Sequence, residues 1–432
     1  MAGEWRQVLL SDLADLSGGF AFKSSDYSET GRFVLRTLNI ADDGSINKDD
    51  AVFLPEDLCA QYSRFELRPH DTLFVMVGAT LGKVGFVREN DLPALMNQNM
   101  WLIRAKPEVG DPRFIHYAFR HFIKDSLGWA SGSARSFLRR DDARNLVITA
   151  PSLPEQRAIA HILGTLDDKI ELNRRHNQTL EAMARALFKD WFVDFGPVRA
   201  KMEGREPYLP PDLWQLFPER VDEDGKPEGW EMQPLTELLH IVGGGTPKTS
   251  VSEYWDGDIP WFSVVDTPPA SDVFVVATEK SITKQGLEGS STRLIPKGTT
   301  IISARGTVGN LAIAGRDMTF NQSCYGLRGA EGVGDYFVYL TAQKMVDQLK
   351  SMAHGSVFST ITRQTFEAIQ RPVPPPAVLA AFENLVSGWF DAILSSVEES
   401  RTLAQLRDTL LPKLISGELR INDAESLLEG VI

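Results

Sequence analysis

The sequence predicts an α+β protein built twice: two similar domains of short strands and a few helices, joined by two long antiparallel helices that form a coiled coil, with a pseudo-twofold internal repeat. Three observations lead there. The 432 residues exceed what one ordinary core accommodates. The second half of the chain repeats the first, and in each half a strand-rich stretch gives way, at a proline cluster, to a long heptad pattern.

The repeat constrains the whole architecture. EWRQVLLSDLADLSGGFAFK aligns with GWEMQPLTELLHIVGGGTPK, pairing Trp5 with Trp230, Leu13 with Leu238, Gly18 with Gly243 and Lys23 with Lys248 at an offset of 225 residues. RPHDTLFVMVGATLG pairs with IPKGTTIISARGTVG at 227, Asn97-Gln98 with Asn321-Gln322 at 224, and Gly132-Ser133 with Gly355-Ser356 at 223. Small drifts of this kind are loop insertions in a shared fold. Each copy opens with short β-branched runs broken by Gly, Asp and Pro, the pattern of short strands. Helices are expected at residues 112–127 and 336–352, where apolar residues recur at three and four.

Beyond Pro151–Pro154 the apolar positions run Ile159, Leu163, Leu166, Ile170, Asn173, Asn177, Leu180, Ala184, Leu187 and Trp191 in steps of four and three. Beyond Pro372–Pro376 the same frame gives Phe382, Val386, Trp389, Ile393, Ser396, Ser400, Leu403, Arg407, Leu410 and Leu414. Each rod is about 50 Å long, too long to be buried inside either domain. Antiparallel packing about the rod centres puts Asn173 against Ser400 and Asn177 against Ser396, polar on polar. Arg407 fits the seam poorly, and Leu406 is expected to take its place. The expected division is therefore residues 1–151 (first domain), 152–195 (first long helix), 196–228 (connector), 229–373 (second domain), 374–416 (second long helix) and 417–432 (tail). The connector is dense in Pro, Gly and charge, but Trp214, Leu216 and Phe217 call for burial, so it reads as ordered.

Composition narrows the function. Apolar content of 43% and charged content of 24% are those of a globular protein, and a net charge of −13 argues against wholesale non-specific nucleic-acid binding. No window approaches the roughly 18 uninterrupted apolar residues of a membrane span, and MAGEWRQVLLSD lacks a signal-peptide design, so a cytoplasmic location is expected. Cys59 and Cys324 are too few for a disulfide scaffold and read as buried thiols.

No catalytic constellation assembles. VMVGATLGKVGFV, from Val75 to Val87, looks like a phosphate loop, yet three residues separate Gly78 from Gly82 where four are needed, and Val84 stands where a magnesium-holding hydroxyl belongs. The repeat confirms the point, because Asn310 replaces Lys83 in the second copy. Asp266-Thr267-Pro268-Pro269-Ala270 lacks the aromatic of a base-methylating tetrapeptide. The histidines miss metal-ligand spacing, His116 and His121 read as lining a helix face, and Asp167-Asp168 as a solvated surface. The chain is expected to perform no chemistry, to bind no metal and to carry no cofactor.

Two copies of one fold on a two-rod spacer suit a protein that touches two separated places on one long ligand, and double-stranded DNA is such a ligand. The candidate DNA-binding side chains on or near the shared turns are Lys23, Arg36, Asn39, Thr80, Lys83, Asn97, Gln98, Ser133 and Arg135 in the first copy. In the second they are Lys248, Ser263, Arg305, Thr307, Asn321, Gln322 and Ser356. Arg and Lys bridge guanine, and Asn and Gln bridge adenine.

GGFAFKSSDY and GGGTPKT, the GATLGK and RGTVGN turns, the two Asn-Gln pairs and PSLPEQRAIAHILGTLDDKIELNRRHNQTLEAMARALFKDWFVDF form an ordered set, which LFPERVDEDGKPEGWE and LLPKLISGELRI complete. By that set the chain resembles, over nearly its full length, the specificity (S) subunit of a Type I restriction-modification enzyme. The resemblance implies two target-recognition domains, each reading half of a bipartite asymmetric DNA site, with antiparallel helices fixing the spacing. It also implies two modification (methyltransferase) subunits that use S-adenosylmethionine, and restriction/translocase subunits that use ATP; those cofactors belong to the partners. One departure is that the second proline cluster runs into PPPAVLAAFENLV where the first has LPEQRAIAHIL, so the two docking surfaces are not expected to be equivalent. Two other classes stay open, a partnerless bivalent DNA-binding protein and a coiled-coil protein scaffold. The first should be basic, which this chain is not; the second has no reason to keep Arg, Asn and Gln on the shared turns.

Overall fold

The computed structural model describes residues 5–48, 50–78, 80–130, 143–268, 272–354 and 360–428. Two compact units divide the chain, one holding residues 1–168 and 403–432, the other residues 169–402. The fold class is the expected one: mixed helix and strand, the same arrangement occurring twice, and two long helices, Leu153–Phe192 and Pro376–Ser416.

In the first unit Ala14–Gly18 pairs antiparallel with Met100–Ala105, which pairs with Thr72–Val75, and that in turn with Val84–Phe86. Thr72–Val75 is buried along its whole length, paired on one side with Met100–Ala105 and on the other with Val84–Phe86. A second sheet places Arg32–Leu35 between Phe53–Leu54 and a parallel Ala94–Met96. Arg6–Leu9 and Val147–Ala150 close the domain as an antiparallel pair. The helix expected at 112–127 is Pro112–Ala130, with Phe119 edge-on to Phe74 at 5.3 Å.

The second unit repeats this plan. Leu239–Gly243, Cys324–Gly329, Thr300–Ser303 and Leu311–Ala314 lie in the same order, and Phe274–Val275 adds a fifth strand parallel to Leu311–Ala314. Trp255–Phe262 lies between Lys280–Ile282 and a parallel Thr319–Phe320, and Glu231–Pro234 pairs with Gln370–Val373. The helix expected at 336–352 is Asp335–His354, its first amides received by the Glu383 carboxylate (Tyr336 N 3.0 Å, Phe337 N 3.1 Å). The connector folds onto this unit: Phe217 is buried edge-on to Trp191 at 5.0 Å, and the Lys201 ammonium lies 5.5 Å above the Trp214 ring. Cys59 and Cys324 are buried free thiols, and burial pushes Cys324 up to about 12.

The second long helix is long and apolar enough to cross a membrane by length and composition alone. Its Phe382, Val386, Phe390 and Ile393 are instead buried in the core of the second unit, as in the core helix of a globular protein. Within that unit the two rods run antiparallel: Asn173 Nδ2 donates to Ser400 Oγ at 3.2 Å and to Glu399 at 2.7 Å, while Trp191 meets Phe382 at 5.9 Å.

Three expectations about the rods need correction. Ile159, Leu163, Leu166, Asn173, Asn177, Ala184 and Trp191 are buried as the heptad frame requires, and so are Ile393, Leu403, Leu410 and Leu414. Ile170, Leu180, Leu187, Trp389, Ser396 and Ser400 are only half-buried. Beyond Asn177 the buried positions are Glu181, Ala184, Phe188, Trp191 and Phe192, because the helix there packs on Asp335–His354 as well as on its partner rod. Glu181 accepts from Gln343 at 2.9 Å and from the Tyr339 hydroxyl at 3.3 Å. Asn177 makes no bond to Ser396; its Oδ1 is buried without a partner, and Ser396 O instead lies 3.4 Å from Asn173 Nδ2.

Arg407 keeps the seam position, 7% exposed, while Leu406 is half-buried. What makes this tolerable is Asp167, which is not a solvated surface residue: its Oδ1 accepts from Arg407 Nη1 at 2.6 Å and its Oδ2 from the Tyr117 hydroxyl at 2.5 Å. Burial pushes the Asp167 carboxyl up, but the Arg407 charge and the two hydrogen bonds outweigh it and hold the pKa below the ordinary aspartate value. Asp168 is the exposed member, gripped through both oxygens by Arg113. His116, beside Thr72 Oγ1 at 3.3 Å and against the Phe86 ring, is likewise internal, and burial pushes its pKa down to about 3.

Arg407→Leu removes the cation facing the largely enclosed Asp167 carboxylate and leaves it only the Tyr117 hydroxyl. We expect a loss of roughly 3–5 kcal/mol in denaturant unfolding, and partial recovery on adding Asp167→Leu. His116 gives a pH dependence. The unfolded imidazole takes a proton near 6.5 and the folded one not until about 3. This contribution to stability is therefore complete above 6.5 and is lost as pH falls toward 3, at about 1.4 kcal/mol per pH unit. Unfolding measured from pH 6 to pH 4 should show that slope in the parent and a flatter one in His116→Gln.

Candidate nucleic-acid interface

Strand direction decides which loops meet. In the first unit Gly18 is opposite Trp101, Val75 opposite Met100 and Phe74 opposite Val84, so the loops after Gly18 and Val75 and the loop before Met100 leave the sheet at one end. The second sheet delivers a fourth segment there, because Leu35 lies beside Met96 and Leu35 O accepts from Asn97 N at 3.0 Å. Met76 N donates to Asn99 O at 3.1 Å, tying the 76–83 turn to the 97–99 loop. The second unit repeats each relation: Ala304 N donates to Ser323 O at 2.8 Å and Asn321 N to Phe262 O at 2.9 Å.

The opening loop is held by a close approach. A Cβ on Gly19 would lie 1.9 Å from Asn97 O, and one on Gly244 would lie 2.0 Å from Asn321 O, so only glycine fits either place. The neighbouring Gly18 and Gly243 have nothing within 4 Å. Gly82 and Gly309 end the second turn in the left-handed region, at φ 93° and 91°. The turns differ at their start, where Gly78 is left-handed at φ 92°; in the second copy that role shifts to Gly306 at φ 76°, freeing the preceding position for Arg305.

Thirteen of the sixteen candidates fall on this cluster of loops, seven in the first unit and six in the second. Lys23, Gln98, Lys248, Arg305, Thr307 and Gln322 are exposed there. Among the described residues Arg305 has no hydrogen-bond or ion-pair partner, and the Thr246 hydroxyl donates to Gln322. Thr80, Asn97, Ser263 and Asn321 are half-buried; Asn97 Nδ2 reaches the Tyr27 hydroxyl at 3.3 Å, and Asn321 Oδ1 accepts from Ser323 N at 3.0 Å. Lys83 is neutralised by Asp42 at 2.8 Å and donates to Ile40 O, and Arg36 donates to Asp50 O. Asn39 is the correction. It is 1% exposed, and its side chain closes a turn by accepting from Arg36 N at 2.9 Å and donating to Asn47 O at 3.0 Å, so no ligand reaches it. Ser133, Arg135 and Ser356, like Pro269 and Ala270 of the proline tetrapeptide, lie outside the described residues.

Sequence reasoning missed two side chains on these loops. Leu38 is 50% exposed and Val265 75% exposed, at the same place in the two copies. The only available signal was their shared position in a turn of otherwise unlike residues.

The glycine contacts yield a paired test. Gly19→Ala and Gly244→Ala are expected to cost about 1–3 kcal/mol each in denaturant unfolding, since a carbonyl must move. Gly18→Ala and Gly243→Ala should stay within roughly 0.5 kcal/mol of the parent.

Known proteins share this doubled arrangement. The family described as Type I restriction modification DNA specificity domain matches residues 2–182 and 227–378, one stretch in each copy. The Type I restriction enzyme HindI specificity subunit of Haemophilus influenzae is 31% identical over 324 residues, 65% of this chain and 70% of its own length. The MjaIX specificity subunit of Methanocaldococcus jannaschii is 28% identical over 195 residues, 45% of either chain, whereas the putative MjaX subunit of that organism is 21% identical over 97% of this chain and 94% of its own. The crystal structure of a Type I restriction-modification S subunit from M. genitalium is similar in fold, with a TM-score of 0.54, 16% identity, and coverage of 95% of this chain and 96% of that one. By the match to both copies, the chain belongs to the Type I restriction-modification DNA specificity family.

Proposed function

We propose that each loop cluster reads one half of a bipartite, asymmetric site on double-stranded DNA, and that the long helices set the spacing and dock two modification (methyltransferase) subunits. The observation that carries this reading is that the same four loops, three from one sheet and one from its neighbour, gather at one end in both units with different side chains. Arg305 stands where Gly78 does, and Ser263 where Arg36 does. One frame with two sets of readers suits two unlike half-sites. Base-edge hydrogen bonds supply the specificity and phosphate contacts the register. The net charge of −13 opposes a grip on phosphates by this chain alone, so partner surfaces supply part of the phosphate neutralisation. S-adenosylmethionine and, where restriction/translocase subunits are present, ATP are then the partners' cofactors, the chain itself is a non-catalytic recognition subunit, and the complex works in the cytoplasm. Half-site centres about 34–36 Å apart would let both domains face one side of the duplex.

Co-purification with a methyltransferase subunit, followed by methylation mapping of the host genome, tests the reading. A bipartite motif lost on deletion of this chain is expected. Binding to the same motif with no partner present would favour a partnerless bivalent reader. For a single residue, Arg305→Ala should weaken specific binding by about 1–3 kcal/mol with the fold intact, if the guanidinium bridges a guanine. Equal loss on specific and random duplexes would assign Arg305 to phosphate.

A further inference from the structure

We infer that Leu38 and Val265 are specificity-determining residues, each packing on the C5-methyl group of a thymine in the half-site its own domain reads; the inference rests on the DNA-reading function above. Leu38 is 50% exposed and Val265 75% exposed, and they hold the same position in the two copies. Single exposed apolar residues are ordinary on any surface. Two at one repeated position, on the loops argued to face DNA, are not explained by that.

Both sit in one-turn 3-10 helices, Thr37–Asn39 and Val264–Asp266. Each turn is closed by the same bond, Arg36 N to Asn39 Oδ1 at 2.9 Å and Ser263 N to Asp266 Oδ2 at 2.7 Å. The turn is thus rigid, and the apolar side chain is presented without further ordering. The residues around it vary between copies, Arg36 for Ser263 and Thr37 for Val264, while an exposed branched aliphatic remains.

Chemistry limits what such a side chain recognises. It offers no hydrogen bond to a phosphate or a base edge, and the one apolar group on the base edges of the major groove is the thymine methyl. A minor-groove wedge between base steps needs a longer reach than valine has, and the minor groove, roughly 6 Å wide, is narrow for a turn that carries flanking side chains. The major groove, about 12 Å across, admits the turn.

Duplexes carrying the mapped site, with each thymine replaced in turn by deoxyuridine, lose a methyl group and keep every hydrogen bond. Competition binding would use the full chain with the methyltransferase subunits that co-purify with it. One thymine in each half-site is expected to weaken binding about fourfold on replacement, the worth of one buried methyl. Leu38→Ala should lose a similar factor on the parent site and become indifferent to deoxyuridine in the first domain's half-site alone; Val265→Ala should do the same in the other, and Leu38→Met should stay sensitive. Three results overturn the inference: alanine variants that bind like the parent, equal losses on thymine and deoxyuridine duplexes, or half-sites without a sensitive thymine. Loss of co-purification in either variant would also overturn it, by assigning that residue to a subunit contact. A parent complex that prefers no duplex over random sequence would instead overturn the DNA-reading function.

Discussion

A glycine pressed against a carbonyl oxygen holds the reading end of each domain together. Where Gly19 passes Asn97 and Gly244 passes Asn321, the backbones come closer than any side chain permits. That contact brings the opening loop onto the loop that carries the Asn-Gln pair; the same loop anchors the second turn through Asn99 O and Ser323 O, and through Asn97 N and Asn321 N the strand ends that lead into the 3-10 segments. Four segments distant in sequence become one surface at fixed positions. The side chains they carry can then change without disturbing the frame, as they have between the two copies.

The frame also tolerates a change in its own ion pairs. Arg104 and Arg328 occupy equivalent positions in the strands Met100–Ala105 and Cys324–Gly329. Arg104 is gripped by Asp71, with Nε at 2.8 Å and Nη2 at 2.6 Å, but the second copy has Gly298 in the place of Asp71. There Asp335, at the start of the helix Asp335–His354, accepts from Arg328 at 2.9 Å instead. The arginine keeps a carboxylate while the element supplying it changes, which preserves the charge balance of a half-buried strand end.

Much of this was legible in the sequence because it is periodic or repeated. The offset between copies exposed the doubled α+β plan, the three-and-four spacing exposed the rods, and the shared turns pointed to the end of the sheet where the loops gather. What escaped depends on partners that no local pattern names. Arg407 looked like a misfit because Asp167 is 240 positions away, and Glu181 is buried because Tyr339 and Gln343 receive it. Asn39 read as a candidate base reader, but its amide is consumed in closing the turn that displays Leu38. A heptad frame also assumes one partner per helix, and Leu180 and Leu187 yield to Glu181 and Phe188 where a second helix packs on the same rod.

The division of the chain bears on how it is made. The first unit is discontinuous: it begins the sequence, yet it is completed only by residues 403–432, after all of 169–402. On a ribosome adding about 5–20 residues per second, Asp167 waits on the order of tens of seconds for Arg407 to emerge. Throughout that interval the carboxylate lacks the guanidinium that holds its Oδ1. The second unit is continuous and has all its residues earlier. Completion therefore runs against sequence order: the second unit has all its residues first, and the part of the first rod before residue 169 waits for the segment that begins at Leu403.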